Sequence, residues 1–171
     1  MLISRIRRWF LFKELERGEI KCDDRFLLQT NRLLIISYLN NGSDLDTLTS
    51  FKVRMENDFD FVDMVYFTKQ KDLKSEISIS SKDISWTGKV TRQLILNLLN
   101  KEYDQMWVIA SKVPLSMEYL ISKIKSRLKL GPYLNETYRD CHIFTHSNSY
   151  DVPNIIKELE DIMLKLSNNG Q

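Results

Sequence analysis

The sequence predicts an α/β protein: one doubly wound, mostly parallel sheet of about five strands, flavodoxin- or Rossmann-like, preceded by a basic amphipathic helix. Short apolar runs without polar alternation recur at Leu33–Leu39, Met64–Thr68 and Met106–Ala110, the pattern of strands covered on both faces. Stretches with apolar residues at helical spacing separate them, so strands and helices alternate along the chain. The 171 residues, 43% hydrophobic and 28% charged with only 5 Gly and 3 Pro, are enough for one core without staples. No internal repeat and no second domain is visible, and the body spans 33–166.

Leu33–Leu39 ends in Asn40-Asn41-Gly42, which predicts a buried strand followed by a loop. Ser43 ahead of Asp44 and Asp46 resembles a capping-box start, and Leu45, Leu48, Phe51 and Met55 follow on one helical face. The second strand is Met64–Thr68. Lys69 to Ser85 has no clear period and is expected to be a long surface connection. A helix should open near Thr87-Gly88, with Val90, Leu94, Ile95, Leu98 and Leu99 inward. Met106–Ala110 is the third strand. Pro114 suits the first turn of the next helix, whose stripe is Met117, Leu120, Ile121, Ile124 and Leu128. A short strand at Leu128–Leu130 runs into Gly131-Pro132, Cys141–Phe144 is a fifth strand, and Val152, Ile155, Ile156, Leu159, Ile162, Met163 and Leu166 mark the last helix. Right-handed crossovers fold this order into a sandwich with helices on both faces.

Charge is distributed unevenly. Residues 1–17 hold five basic residues against two acidic, a net of +3, while the rest holds 20 basic against 21 acidic, a net of −1. The body is therefore not a nucleic-acid-binding surface, and any attraction to polyanions belongs to the tail. In that tail Leu2, Ile3, Ile6, Trp9 and Phe10 share one helical arc, with Arg5 and Arg8 opposite and Arg7 at the margin. A basic, aromatic helix of this kind docks on a protein partner, pairs with its own copy or lies at a membrane surface. Leu11, Phe12 and Leu15 lie off the main stripe, which favours burial against protein. The apolar run Trp9–Phe12 is too short for a signal peptide, nothing approaches a membrane span, and Cys22 and Cys141 are the only cysteines. A cytoplasmic setting is the expectation.

The candidate chemistry is sparse. Trp86-Thr87-Gly88-Lys89-Val90-Thr91-Arg92 is read as a helix start that could receive an anion through free N–H groups and Lys89. It is not a P-loop, since Asp83 and Val90 stand where Gly and Ser or Thr are required. Lys123, Lys125, Arg127 and Lys129 are read as the solvated face of a helix. Cys141, His142 and His146 do not make a metal site, because neighbours on a strand point to opposite faces and further ligands are lacking. No cofactor motif is present.

From Ile84 onward the chain resembles a bacterial family of small cytoplasmic α/β proteins described only as a domain of unknown function. Ile84-Ser-Trp86-Thr-Gly88-Lys89-Val90, Tyr103-Asp104 and Ser122–Gly131 carry the resemblance, and the strand and helix at Cys141–Leu166 are similar in placement. It implies a fold and a setting, and brings no activity and no catalytic residues.

The sequence therefore points to a non-catalytic binding or interaction protein attached through Arg5, Arg7, Arg8, Trp9 and Phe10 to a partner, a larger assembly or a membrane surface. The competing reading is an enzyme or sensor for a nucleotide or sugar phosphate in the crevice at the carboxyl ends of the strands. Asn40, Asn41, Ser111 and Lys112 would line that crevice, where the strand order reverses, with Trp86 and Lys89 beside it.

Overall fold

The structure is a computed structural model and describes residues 31–85, 88–134, 141–145 and 151–169. The expected N-terminal helix at 1–17 lies outside the described residues, as do Trp86 and His146. In chain order the elements are β1 (Arg32–Leu39), α1 (Gly42–Met55), β2 (Phe61–Thr68), β3 (Ser78–Ile79), α2 (Gln93–Leu99), β4 (Glu102–Ile109), α3 (Leu115–Lys123), β5 (Lys125–Pro132), β6 (Ile143–Thr145) and α4 (Val152–Asn169).

All described strands are parallel, in the order β3-β2-β1-β4-β5-β6. This is a doubly wound sheet: the chain builds outward from β1 to one edge, then returns to the other side of β1 at β4. β1 is central, with seven of its eight residues buried. Its one buried polar side chain, Ser37, donates to the carbonyl of Ile109 on β4 at 2.6 Å, so the hydroxyl is not left unsatisfied.

Helices cover both faces. Ile95 and Leu98 of α2 and Met117, Leu120 and Ile121 of α3 pack on Leu34, Ile36, Val65, Met106 and Val108. On the opposite face Leu48, Phe51 and Met55 of α1 and Val152, Ile155, Ile156 and Leu159 of α4 pack on Leu33, Ile35, Tyr66, Trp107 and Ile109. Residue parity along each strand thus sends alternate side chains to two separate cores.

Several boundaries differ from the sequence expectation. Among the described residues the sheet has six strands, because β3 lies inside the stretch expected to be a surface connection. Leu73 and Ile77 of that stretch pack against the α1/α4 core, and Ile79 is buried in the other. With only Leu73, Ile77, Ile79 and Ile84 apolar between 69 and 85, no regular period marks the strand. Asn41, not Ser43, caps α1: its Oδ1 accepts the Asp44 amide at 2.9 Å and the Ser43 hydroxyl at 2.8 Å.

The helix expected at Thr87–Gly88 begins only at Gln93. Ile84 and Val90 form an antiparallel bridge instead, closed by Gly88 at φ +79, a conformation glycine adopts at little cost. The Tyr119 hydroxyl donates to the Gly88 carbonyl at 3.2 Å. The basic cluster lies mainly on a strand: α3 ends at Lys123, and Lys125, Arg127 and Lys129 alternate along β5. Lys129 is only 6% exposed, its ammonium donating to the Ile121 carbonyl at 2.7 Å.

Gly131 on β5 lets the sheet close around its neighbours. A Cβ there would stand 2.9 Å from both the Cys141 Sγ and the Val108 Cβ. Gly131→Ala is expected to destabilise the fold by about 1–3 kcal/mol through overpacking. Urea titration measures it, and a loss under about 0.5 kcal/mol, the scale of a neutral surface change, would show that the site relaxes freely.

Candidate functional site

In doubly wound sheets ligands are held outside the carboxyl ends of the strands, at the point where the order reverses. Here that point lies between β1 and β4, and the two loops meet. Asn40 Nδ2 donates to Ser111 Oγ at 3.1 Å. Gln70, just past β2, donates its side-chain amide to the Asn40 carbonyl, and its backbone N–H to Thr68 Oγ1 at 3.1 Å. The Lys112 ammonium lies 4.5 Å above the Tyr38 ring. Asn41 is occupied as the cap of α1, while Asp44 places a carboxylate in the first turn and accepts the Asn40 amide at 3.3 Å. Asn40, Ser111 and Lys112 therefore sit on one polar ledge. Asn41 faces the helix, which already has its anion.

Lys89 does not join that ledge as a helix-start residue. Its backbone N–H donates to Ser85 Oγ and its carbonyl accepts the Ser85 N–H, both at 2.9 Å, so the turn uses the groups an anion would need. α2 begins four residues later, and its N-cap Arg92 points its guanidinium back to the Ser78 and Glu76 carbonyls.

A cavity of about 250 Å³ continues the ledge beside β3, lined by Thr68, Lys74, Ser75, Ser78, Ile79, Ser80, Asp83 and Arg92. Composition gave no sign of it, because its residues come from a stretch without periodicity.

The opposite, amino edge of the sheet carries a network of ion pairs around a depression of about 600 Å³. Asp104 Oδ2 accepts the backbone N–H groups of Asn31 and Arg32, each at 3.0 Å, and its Oδ1 lies 3.3 Å from Arg127. Lys125 pairs with Glu102 at 3.3 Å. Asp63 receives both Lys101 at 2.7 Å and the Tyr103 hydroxyl at 2.8 Å. Burial, and then the hydrogen bond to Asp63, hold the Tyr103 phenol protonated far above its ordinary range. The Arg32 guanidinium lies 5.1 Å over the ring of Phe61, which is 60% exposed. Sequence reasoning found none of these pairs, since each joins residues from different strands.

His142 Nδ1 accepts the Lys129 N–H at 3.0 Å. Burial, with the Lys129 ammonium adding to it, pushes its pKa below 6.5. The unfolded chain then binds more protons than the folded one between 6.5 and the lowered value. Stability is expected to fall as pH drops below about 6.5, and His142→Gln should flatten that part of the slope. Urea midpoints across this range test it, and an unchanged slope in the variant would assign the loss to other groups.

Fold and site together define a single-sheet, doubly wound α/β protein with a polar ledge at its carboxyl edge and an ion-pair network at its amino edge. The chain belongs to a family of unknown function, DUF6913, whose sequence profile matches residues 4–166. The match covers the first half of the chain as well as the 84–166 portion in which the resemblance is visible by eye. Neither a curated protein nor a solved structure matches the chain. Among the described residues no helix is long and apolar enough to cross a membrane.

Proposed function

We propose that this chain is a non-catalytic binding protein that attaches to a protein partner through its basic N-terminal segment, using the sheet as a rigid platform. The observation that supports this most is the Asp104 clamp. It fixes the backbone of Asn31 and Arg32 to β4 at the amino edge of the sheet. The sequence ahead of it carries Arg5, Arg7, Arg8, Trp9 and Phe10, and the amino edge itself carries ion pairs and the exposed ring of Phe61. Charged side chains around an aromatic anchor are the composition of protein interfaces. A protein partner in the cytoplasm fits better than a lipid surface, because the segment is apolar almost all round. The strand order is shared with Rossmann-like folds, and such likeness bears on architecture, not on activity.

Affinity purification of the full chain and of residues 18–171 from the native cell is the test, with circular dichroism of both. The truncated chain should stay folded and lose its partner. A folded truncation that keeps full partner binding would overturn the proposal. Recovery of binding to anionic vesicles alone, abolished by salt and by Arg5, Arg7 and Arg8→Ser, would replace the protein partner with a membrane.

A further inference from the structure

We propose that the cavity beside β3 binds a small phosphate monoester of a polyol, a site that shares no residue with the proposed N-terminal attachment. Thr68 ends β2, Ser80 follows β3, and Lys74 and Ser75 lie in the connection between them, so the cavity opens outside the carboxyl ends of two parallel strands, on the same edge of the sheet as the switch point between β1 and β4 but outward of it.

Its chemistry follows from counting hydrogen-bonding groups. Ser78 Oγ is saturated locally, donating to the Ser75 carbonyl at 2.8 Å and accepting the Ser75 N–H at 3.1 Å. Ser75 Oγ shares its proton with the Tyr66 hydroxyl at 2.8 Å. Thr68 Oγ1 and Ser80 Oγ act only as acceptors, from Gln70 N and Lys82 N, so among the described residues each keeps its own O–H to donate. The Lys74 ammonium forms no ion pair among the described residues, and the side chain is exposed.

Arg92 is anchored by its bonds to the Ser78 and Glu76 carbonyls and lies 3.5 Å from Asp83 Oδ2, while its side chain keeps 31% of its exposure. A guanidinium fixed before the ligand arrives has little side-chain freedom left to lose on binding. Lys74 and Arg92 against Asp83 leave the lining at a net of +1, with donors in excess of acceptors.

Two cationic groups and two uncommitted hydroxyls suit the larger negative charge and three oxygens of a phosphoryl group better than the single charge of a carboxylate. Asp83 Oδ2 accepts the Ser80 N–H at 2.7 Å. Its Oδ1 is left to accept from a ligand hydroxyl, which is what selects an alcohol-bearing ester over the bare anion. A cavity of about 250 Å³ admits a three- or four-carbon ester and not a nucleotide, since drug-sized ligands occupy roughly 300–1,000 Å³.

The test is titration calorimetry on the full chain with glycerol 3-phosphate, inorganic phosphate and glycerol as probes. Glycerol 3-phosphate should bind at one site, and Lys74→Ala should weaken it about tenfold, as expected for loss of one charge-assisted contact. Thr68→Val, which keeps the shape of the side chain, should weaken it severalfold. Lys74 is exposed, so its variant should melt as the parent does, which keeps loss of binding apart from loss of fold. No heat with any probe, or equal affinity in Lys74→Ala, would overturn the site. Inorganic phosphate bound as tightly as the ester would overturn the polyol assignment. None of these outcomes depends on residues 1–17, so failure here leaves the attachment proposal standing, and the reverse.

Discussion

Phe51→Ala is expected to lower the free energy of unfolding by about 3–5 kcal/mol, the range for removing a large buried aromatic side chain. Phe51 is fully buried on α1 and stacks on Trp107 of β4 with ring centroids 5.6 Å apart and planes at 29°. The pair joins a peripheral helix to a central strand, beside the same face that α4 covers. Trp107 is fixed in its turn by the bond from its indole N–H to Gln105 Oε1 at 2.8 Å, so neither ring is free to fill a cavity left by the other. Chemical denaturation measures the loss. A double-mutant cycle with Trp107→Leu should return a coupling of about 0.5–1.5 kcal/mol for the ring pair. A Phe51→Ala cost below about 2 kcal/mol, under the usual range for such truncations, would mean that α1 collapses onto the sheet or packs less tightly than described.

Asp104→Ala should be the most damaging change at the amino edge, at about 2–3 kcal/mol. Hydrogen bonds to a charged acceptor contribute about 1.5–3 kcal/mol each when well sheltered, and Asp104 accepts two from backbone amides while its side chain is 19% exposed. Asp104→Asn keeps an oxygen for those amides and gives up the pair with Arg127, which is 55% exposed and worth under about 1 kcal/mol. The two variants should therefore separate by more than about 1 kcal/mol in urea denaturation, the scale of one hydrogen bond. Equal stability of the two would show that the ion pair, not the clamp, holds the start of β1.

Much of the fold was legible in the sequence because the central strands are covered on both sides. Leu33–Leu39 and Met106–Ala110 read as apolar runs since a parallel strand between two helical layers has no wet face. α4 was visible because a helix over a sheet must carry a stripe at 3.6-residue spacing. Edge elements were harder. β3 pairs through two residues with Tyr66 and Phe67, and so short a segment has no period of its own. β5 was half-hidden for another reason: the stripe of α3 runs on through Ile124 and Leu128, so nothing in the spacing marks where helix gives way to strand. Only the pairing of Lys125–Leu130 with Glu102–Trp107 decides it.

The candidate site divides along the same line. Asn40, Ser111 and Lys112 could be placed from the sequence, because an all-parallel alternating order puts the loops after β1 and β4 side by side. The helix start at Lys89 failed because local propensity at Thr87-Gly88 is compatible with either a cap or a turn, and the contact of Gly88 with Tyr119, 31 residues away, favours the turn.

By itself, then, the sequence determined the layered α/β architecture, the apolar stripes that most of the helices turn inward and the charge contrast between tail and body, since these depend on residue type and short-range spacing. Only the tertiary structure decided the sixth strand, the Asp104 and Asp63 networks and the cavity at Lys74 and Arg92. Each of these brings together side chains from separate segments, and such meetings are set by strand register and crossover path, which no local pattern of residues records.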